Sequence, residues 1–261
     1  MALRLDGDVV FVTGAASGLG RQITTRAASE GAFVVATDVD DDGGEATVAE
    51  AEDTAEGAGG ATYHHLDVTE AEPFHDLVDA VAEERGIDGI VNNAGIGHPP
   101  NLAEDVSMST LDYIIDVNVR GVWNGCQAAL PHLKDNDDGG AIVNVASLAG
   151  FLGMPRQSAY SLTKGAVLNY TRAVAAEAGR DGVRANAVCP GVVDTPLGSQ
   201  VFAGIDPEDP QAGKEKLAEQ YPLGRLGEPD DVAAPTCFLL SDEASWISGH
   251  GRVIDGAFSI A

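Results

Sequence analysis

The chain has few lysines, few sulfur-containing residues and no long hydrophobic run. Of its 261 residues, four are Lys, three are Met and three are Cys, and aromatic residues make up 5%. The 15 Lys and Arg are outnumbered by 41 Asp and Glu, which gives a formal net charge of -26. A surface this acidic repels phosphate backbones and anionic lipids, so we expect neither nucleic acid nor a membrane as a partner.

The few cysteines and histidines form no metal or disulfide pattern. Cys126, Cys189 and Cys237 lie far apart without a C-x-x-C pair, and the six histidines show no H-x-x-x-H spacing. We therefore expect buried free thiols and no metal site. The N-terminus also lacks the apolar stretch of a signal peptide, and no run is long enough to cross a bilayer. These absences predict a cytoplasmic protein.

The acidic excess accompanies an otherwise ordinary globular composition. Hydrophobic residues make up 44% of the chain, which also contains 32 Gly and 12 Pro. Because the apolar runs remain periodic, we expect the charge to coat a folded surface, and the length suits one domain over residues 1–261. A lysine-poor acidic coat is what we expect in a cytoplasm with molar salt, where repulsion between like charges is screened.

Short apolar runs alternate with segments of helical periodicity along the whole chain. Seven of these runs indicate strands, at residues 9–12, 33–37, 61–66, 87–91, 141–146, 183–188 and 252–255. This alternation predicts an α/β fold, a Rossmann-type doubly wound parallel sheet of about seven strands with helices on both faces. Ligands bind such sheets at the carboxyl ends of the strands.

A glycine-rich loop follows the first strand. It contains Gly14, Ser17, Gly18, Leu19 and Gly20 in the spacing G-x-x-x-G-x-G, and a predicted helix follows it. Glycines let the backbone approach a pyrophosphate closely, and the amides at the start of the helix face its negative charge. The loop therefore predicts a dinucleotide-binding site.

Asp38 ends the second predicted strand, eighteen residues after Gly20. A carboxylate there can accept hydrogen bonds from both hydroxyls of the adenosine ribose and repels a 2′-phosphate. No Lys or Arg occurs over residues 31–60, and Ser17 is neutral. We therefore predict NAD rather than NADP as the cofactor, although Asp38 could instead belong to the solvated acidic run of residues 38–42.

A hydroxyl, a phenol and an ammonium occur at spacings that can form one site. Ser147 closes the fifth apolar run, and Tyr160 and Lys164 are four residues apart in a predicted helix over 158–180. An i, i+4 pair lies on one helix face, so the phenol and the ammonium are expected side by side. A bare Y-x-x-x-K also occurs in helices whose Tyr lies at the edge of the core and whose Lys lies in solvent.

Together with Asn92-Asn93-Ala94-Gly95 after the fourth strand, these motifs resemble the short-chain dehydrogenase/reductase family over nearly the whole chain. The resemblance implies the catalytic residues Asn118, Ser147, Tyr160 and Lys164, with Asn118 at a local helix distortion. The cofactor contacts it implies are Gly14, Ser17, Gly18, Leu19, Gly20, Asp38, Asp67, Val68, Asn93, Ala94, Gly95, Tyr160, Lys164, Pro190, Gly191, Val193 and Thr195.

The resemblance also implies a reaction, in which hydride passes between NAD and a secondary alcohol or sugar hydroxyl. Tyr160 is then the general base or acid, and Ser147, Gln157 and Tyr160 contact the substrate. The nearby Lys164 ammonium is expected to lower the pKa of the Tyr160 phenol. We expect the Gly- and Pro-rich segment 197–221 to be a substrate-binding lid with one short helical piece.

The family commonly forms dimers or tetramers, so a homotetramer or homodimer built on helices 107–133 and 158–180 is expected, with the tail 258–261 as a further subunit contact. Three alternatives remain beside the alcohol dehydrogenase. A 3-oxoacyl-thioester reductase using NADPH is disfavoured by Asp38, and a non-catalytic NAD-binding regulator would lack one of the catalytic side chains. An epimerase or dehydratase has a differently spaced glycine loop. Sugars, sugar acids, cyclic alcohols and hydroxy-lipids all remain possible substrates.

Overall fold

The computed structural model describes residues 3–206 and 208–261. Seven strands form one parallel sheet in the order β3-β2-β1-β4-β5-β6-β7. The strands are β1 Val9–Thr13, β2 Phe33–Asp38, β3 Gly60–His65, β4 Gly89–Asn92, β5 Gly140–Val145, β6 Val183–Pro190 and β7 Gly251–Ile254. The predicted doubly wound parallel sheet is therefore confirmed.

Helices cover both faces of this sheet. They are α1 Gly18–Ser29, α2 Asp41–Thr54, α3 Ala71–Arg85, α4 Met108–Ile115, α5 Gly121–Asp135, α6 Ala149–Leu152, α7 Ser158–Ala178, α8 Pro196–Ile205, α9 Pro210–Ala218 and α10 Pro229–Leu240. Helices α1, α2 and α10 contribute to the hydrophobic core on one face, and α3, α5 and α7 to the core on the other. The β-branched runs of the strands separate the two cores, as expected for strands buried on both sides.

The strand order reverses between β1 and β4. From β1 the chain first runs outward to β2 and β3 and then returns to add β4 on the other side. In a parallel sheet this reversal opens a crevice beyond the carboxyl ends of the two strands, because the crossover helices leave it in opposite directions. The glycine loop after β1 and the Asn-Asn-Ala-Gly segment after β4 both lie at this point.

A buried chain of polar side chains joins the middle strands to α7. Asn92 Nδ2 donates to Asn144 Oδ1 at 2.8 Å, and Asn144 Nδ2 donates to Thr171 Oγ1 at 2.9 Å. Asn92 and Asn144 are register partners on β4 and β5. Because buried amides need such partners, these contacts fix both the register of the strands and the position of α7 above them.

The predicted long helix over 107–133 consists of three parts. A π-helical turn, Asp116–Arg120, separates α4 from α5. Asn118 lies inside this turn and is fully buried. One extra residue per turn rotates the helix face, so a polar side chain can leave the apolar stripe and reach partners on neighbouring elements. The structure thus contains the distortion that the family resemblance implied.

The prediction of a loop with one short helical piece over 197–221 was wrong. Most of this segment belongs to α8 and α9, and Pro207 lies outside the described residues. Thr195 caps α8 by accepting from the Gly198 N–H, and Asp209 caps α9 in the same way. Each cap is followed directly by proline. Proline fits the first helical position, so these prolines start helices instead of interrupting a chain.

Helices α8 and α9 have a small core of their own, which contains Phe202, Leu217, Tyr221 and Leu226. We call these two helices the cap. Within the part of the chain that the structure describes, no helix has both the length and the apolarity needed to span a bilayer. All three cysteines are buried and unpaired, and the described residues contain no cluster of potential metal ligands.

Candidate active site

The glycine loop packs directly against the segment that follows β4. A Cβ on Gly14, whose φ is +67°, would lie 2.7 Å from the Ala94 Cα, and one on Gly20 would overlap the Gly14 carbonyl oxygen. Asn93 Nδ2 donates to the carbonyl oxygens of Thr13 and Gly14, both at 2.9 Å. The predicted cofactor residues Gly14, Gly20, Asn93 and Ala94 are thus brought together, because only glycine permits this backbone approach.

The start of α1 is open toward the crevice. Ser17 occupies the N-cap position but makes no side-chain cap hydrogen bond, and the first turn contains no acidic residue. Gly18 has a left-handed φ of +54°, and a Cβ there would lie 3.4 Å from the Thr195 Cβ. The uncapped amides of the first turn, which also includes Leu19, are therefore free to bind an anion.

Asp38 is held at the end of β2 by backbone N–H groups. Its Oδ2 accepts from Ala16 N at 2.9 Å, and its Oδ1 accepts from Val39 N at 2.7 Å and Asp40 N at 3.1 Å. This half-buried, oriented carboxylate differs from a solvated member of an acidic run. A carboxylate can accept about four hydrogen bonds, so acceptor capacity remains.

Sequence reasoning missed a cation beside this carboxylate. Arg21 donates to the Ala16 carbonyl oxygen at 2.6 Å and to Thr47 Oγ1 at 3.0 Å. Arg21 directly follows Gly20, in the first turn of the predicted helix, and this position could have indicated its contact with the glycine loop. Because its donors bind the backbone of the glycine loop and the first turns of α2, the guanidinium stabilises the loop from below.

Asp67 and Val68, both predicted as cofactor contacts, lie just beyond β3. Asp67 Oδ1 accepts from the backbone N–H of Thr69 at 2.9 Å and from its hydroxyl at 2.8 Å. Val68 is buried, and its carbonyl accepts from Asn124 Nδ2 at 2.8 Å. The structure therefore shows both residues shaping the turn after β3, at the same edge of the sheet as Asp38.

Asn118 clamps the segment after Gly95. Its Oδ1 accepts from Ile96 N at 2.8 Å, and its Nδ2 donates to the Ile96 carbonyl oxygen at 2.9 Å and to Thr163 Oγ1 at 3.2 Å. Both amide hydrogens are used, so this buried side chain is fully satisfied as a donor. Thr163, directly before Lys164, is a second residue that sequence reasoning missed.

Lys164 is an almost fully buried ammonium, with 3% of its surface exposed. Its Nζ donates to the Val145 carbonyl oxygen at 2.8 Å. Burial lowers the pKa of Lys164 to about 8, because the charged form loses its hydration. A Cβ on Gly95 would lie 3.3 Å from both Lys164 Nζ and Asn118 Oδ1. The absence of a side chain at Gly95 therefore leaves room for both groups.

Tyr160 and Ser147 are brought together at the end of β5. Burial raises the pKa of the Tyr160 phenol, and the nearby Ser147 hydroxyl lowers it in part. Lys164 Nζ lies 5.7 Å from the centre of the Tyr160 ring, with a donor bound to the Val145 carbonyl oxygen. In this arrangement the pKa of the phenol is raised overall, whereas the sequence-based expectation was a lowered pKa.

The segment after β6 joins the site to the cap. Pro190 ends β6, and Gly191 N donates to the Ile254 carbonyl oxygen at 2.9 Å. Val193 pairs with Gly227 in an isolated parallel bridge. The Tyr221 hydroxyl accepts from Val192 N at 2.9 Å. Tyr221 is a third residue that sequence reasoning did not assign. It follows α9, and its hydrogen bond connects the cap to the segment 190–195, which contains predicted cofactor contacts.

Gln157, predicted as a substrate residue, holds the loop after β4. Its Nε2 donates to the His98 carbonyl oxygen at 3.0 Å. Gln157 itself lies three residues before Tyr160. The buried His98 ring donates through Nδ1 to the Pro99 carbonyl oxygen at 2.7 Å, since a carbonyl can only accept. Gln157 therefore places the wall formed by residues 96–99 beside the first turn of α7.

Comparisons with known proteins agree with this geometry. Residues 14–259 match the family model described as Enoyl-(Acyl carrier protein) reductase. The chain is 38% identical to levodione reductase of Leifsonia aquatica over 259 residues, covering 99% of this chain and 96% of that protein. It is 37% identical to cyclopentanol dehydrogenase of Comamonas sp. strain NCIMB 9872 over 257 residues, 98% of each.

A solved structure gives the same result. The crystal structure of 3-ketoacyl-(acyl-carrier-protein) reductase from Brucella melitensis complexed with NADH superimposes with a TM-score of 0.87 at 35% identity, covering 98% of this chain and 100% of that one. The fold and the site define an oxidoreductase that acts on alcohols and ketones. The chain belongs to the short-chain dehydrogenase/reductase family, which confirms the resemblance found in the sequence.

The contact between α6 and α7 yields a test of how Lys164 is positioned. A Cβ on Gly150 would lie 2.7 Å from the Lys164 carbonyl oxygen, whereas the nearest atom to a Cβ on Gly165 is 3.6 Å away. Gly150→Ala should push α7 off the sheet at Lys164 and lower kcat about 10- to 100-fold. Gly165→Ala, in the same contact, should keep kcat and gain about 0.5–1 kcal/mol of stability. Steady-state kinetics and thermal unfolding measure both, and equal kcat values would contradict this account.

Proposed function

We propose that this enzyme interconverts a secondary alcohol and its ketone with NAD, and that Tyr160 moves the proton. The observation that carries the proposal is the meeting of Ser147 and Tyr160 at the end of β5, with the Lys164 ammonium buried below them and beside Gly95. All of these groups lie at the edge of the sheet where the strand order reverses, which is the edge that binds ligands in this fold.

The residues at this edge fit a nicotinamide dinucleotide. The uncapped first turn of α1 suits the pyrophosphate, and the left-handed Gly18 keeps the loop clear of Thr195. Lys164 and the backbone around Gly95 suit the ribose on the nicotinamide side. When bound, the dinucleotide supplies the acceptor or donor of the hydride. Pro190, Gly191, Val193 and Thr195, in the segment after β6, would contact it from the other side.

The proton chemistry follows from the two buried titratable side chains. Because burial raises the pKa of Tyr160, the phenol is neutral near pH 7, while Lys164, with a pKa of about 8, is still mostly charged. An ammonium that turns from the Val145 carbonyl toward the phenol favours the phenolate by ~1.4 kcal/mol for each unit of pKa shift. Tyr160 then takes the proton from the alcohol oxygen, and the Ser147 hydroxyl orients that oxygen.

We infer a preference for NAD over NADP from the surroundings of Asp38. Its oriented carboxylate has acceptor capacity left for ribose hydroxyls. Asp40, Asp41 and Asp42 follow it after Val39 and add negative charge against a 2′-phosphate. The nearest cation along the chain, Arg21, donates through Nη2 to the Ala16 carbonyl oxygen and through Nε to Thr47, so these two nitrogens bind the protein itself.

For the substrate we favour a compact, largely apolar secondary alcohol over a sugar. Leu197, Val201 and Ile205 are spaced four residues apart on α8 and are all exposed, so this helix of the cap presents an apolar stripe. The names of the cyclopentanol and levodione relatives agree with this choice. A 3-oxoacyl-thioester reductase remains the second candidate, because the Brucella relative of that name is solved with NADH. Asp38 therefore does not separate the two candidates, and a panel of secondary alcohols, aldoses and 3-oxoacyl thioesters does.

We also propose a homodimer or homotetramer built on α4, α5 and α7. Trp123 is half-exposed and stacks on Tyr170 with ring centres 5.0 Å apart, and Met108, Tyr113 and Leu162 are exposed on the same helices. Exposed apolar groups concentrated on neighbouring helices are typical of subunit contacts. Light scattering should give a multiple of the 26.8 kDa chain mass, and a monomer would contradict the proposal.

The acidic surface supports a cytoplasm with molar salt as the working environment. Burial and, to a smaller extent, the charges of Asp88, Asp242 and Asp6 together raise the pKa of Asp8 to about 6. A carboxyl whose pKa is raised by folding stabilises the protein at low pH, and this contribution is lost as the pH rises through about 6. At neutral pH the repulsion therefore opposes folding, and salt screens it.

Removing the Tyr160 hydroxyl tests the proposed reaction. Tyr160→Phe should still bind NADH but lose at least about 100-fold in turnover, because the proton acceptor is missing. NADH formation followed by absorbance and NADH binding followed by fluorescence measure the two effects. Tyr113→Phe, which changes an exposed tyrosine in the same way, should retain full activity. Turnover retained in Tyr160→Phe would remove Tyr160 from this role.

Replacing Asp38 tests the cofactor preference. In Asp38→Ser the ratio of kcat/KM with NAD to kcat/KM with NADP should fall at least about 10-fold, since the acceptor for the ribose hydroxyls and the repelling charge are both lost. Asp42→Ser removes the same charge from an exposed neighbouring position and should change the ratio much less. A wild-type enzyme that prefers NADP would overturn the assignment.

Salt and pH titrations test the account of the acidic surface. The melting temperature should rise between dilute buffer and molar KCl. In dilute buffer at pH 7.5, Asp8→Asn should gain on the order of 1 kcal/mol, and this gain should disappear near pH 4, where the wild-type carboxyl is protonated. Asp53→Asn, which removes an exposed charge from α2, should gain less. A melting temperature unchanged by KCl would rule out the salt-adapted interpretation.

A further inference from the structure

Two buried threonines of α7 make the same pair of hydrogen bonds, eight residues apart. Thr163 Oγ1 accepts from Asn118 Nδ2 at 3.2 Å, and Thr171 Oγ1 accepts from Asn144 Nδ2 at 2.9 Å. Each hydroxyl also donates at 2.8 Å to a carbonyl in the preceding turn of the helix. The exposed fractions are 0% for Thr163 and 1% for Thr171. The two residues are therefore matched in burial and bonding.

The partners of the two threonines differ. Thr171 connects β5, through Asn144, to the carbonyl of Val167 in the middle of the helix. Thr163 connects Asn118 to the carbonyl of Tyr160, the third residue of α7. One contact fastens the helix to the sheet interior, and the other fastens the turn that carries the reacting phenol.

The Asn118 end of the Thr163 contact is itself fixed. Asn118 holds Ile96 through both the N–H and the carbonyl of that residue, and the π-helical turn directs its side chain there. Thr163 makes the third hydrogen bond of this side chain, in which its Oγ1 accepts the second amide hydrogen of Asn118. Ile96 directly follows Gly95, which lies beside Lys164 Nζ. A continuous line of hydrogen bonds therefore runs from the loop after β4 to the backbone of Tyr160.

We propose that Thr163 is a positioning residue for the reaction, and that its hydroxyl fastens the first turn of α7 to the clamp formed by Asn118 and Ile96. This inference rests on the proposed function of Tyr160. Thr163 precedes Lys164 in the chain, so the same contact holds the start of the turn from Tyr160 to Lys164. Without the hydroxyl, the Asn118 amide keeps a buried N–H that lacks its partner, and the clamp no longer reaches the helix.

The consequence for catalysis is a loss in turnover greater than the loss in cofactor binding. The phenol must lie within hydrogen-bond reach of the alcohol oxygen, and displacements well below 1 Å already slow such proton transfers. The glycine loop and Asp38 bind the other end of the dinucleotide and do not contact Thr163. Of the proposed cofactor residues only Tyr160 and Lys164 lie on α7, so a shift of its first turn lowers kcat more than it raises the KM for NAD.

The matched threonines provide the experiment. Thr163→Val and Thr171→Val each remove one hydroxyl and leave one buried amide N–H without its acceptor, so both should lower the melting temperature by similar amounts. We expect only Thr163→Val to lower kcat, by about 10-fold, with the KM for NAD changed less than about 3-fold. Thr163→Ser, which restores the hydroxyl, should recover most of the lost turnover. Thr163→Cys, of similar volume, supplies a weaker acceptor and provides a second measurement if the valine variant does not fold.

Three outcomes would overturn the inference: equal losses of kcat in the two valine variants, an unchanged kcat in Thr163→Val, or no recovery in Thr163→Ser. These outcomes are distinct from failure of the proposed function. If Tyr160→Phe retains turnover, the proposed function itself is wrong. If Tyr160→Phe is inactive while Thr163→Val is fully active, only the positioning role of Thr163 is wrong.

Discussion

Burial of the Lys164 ammonium is the constraint on which the rest of the site depends. An ionised amine with 3% of its surface exposed is stable only if polar atoms replace its water, and the Val145 carbonyl supplies one of them. Gly95 leaves space beside the ammonium, and Gly150 lets α6 pack closely against the backbone of Lys164. Because burial disfavours the charged form, the pKa of the ammonium is lowered to about 8. Gly95, Gly150, the end of β5 and helix α7 thus together determine the position of Lys164.

The sequence predicted the sheet and the edge where the site lies, because β-branched runs and the polar residues that end them mark parallel strands directly. Asp38 and Ser147 were found in this way. The cap was missed because the Gly- and Pro-rich composition of residues 197–221 was interpreted as a loop, although Pro196 and Pro210 each follow a capping Thr or Asp. The roles of Thr163 and Tyr221 depend on which elements meet in space, and no periodicity of the chain contains that information.

The contacts of the site divide into a fixed part and a part that can adjust. Asn93 joins the glycine loop to β4, and Asn118 joins the loop after β4 to α7, both through short bonds between buried groups. The links to the cap include Tyr221, through one hydrogen bond to Val192 and a ring contact with Phe258 at 4.9 Å, and the ion pair of Lys214 on α9 with Asp194. Substrate differences between related enzymes can therefore arise in the cap while the proton-transfer geometry stays the same.

The all-parallel sheet also has a consequence for how the chain folds. No two neighbouring strands are joined by a hairpin, since each pairing is closed by a crossover that contains at least one helix. Contacts between distant segments form slowly, so unpaired strand edges stay open for longer than in a helical bundle of equal size. During that interval, in dilute buffer, the mutual repulsion of 41 acidic side chains keeps incomplete chains apart. The same negative charge that lowers the stability of the folded protein in dilute buffer thus reduces the aggregation of incompletely folded chains.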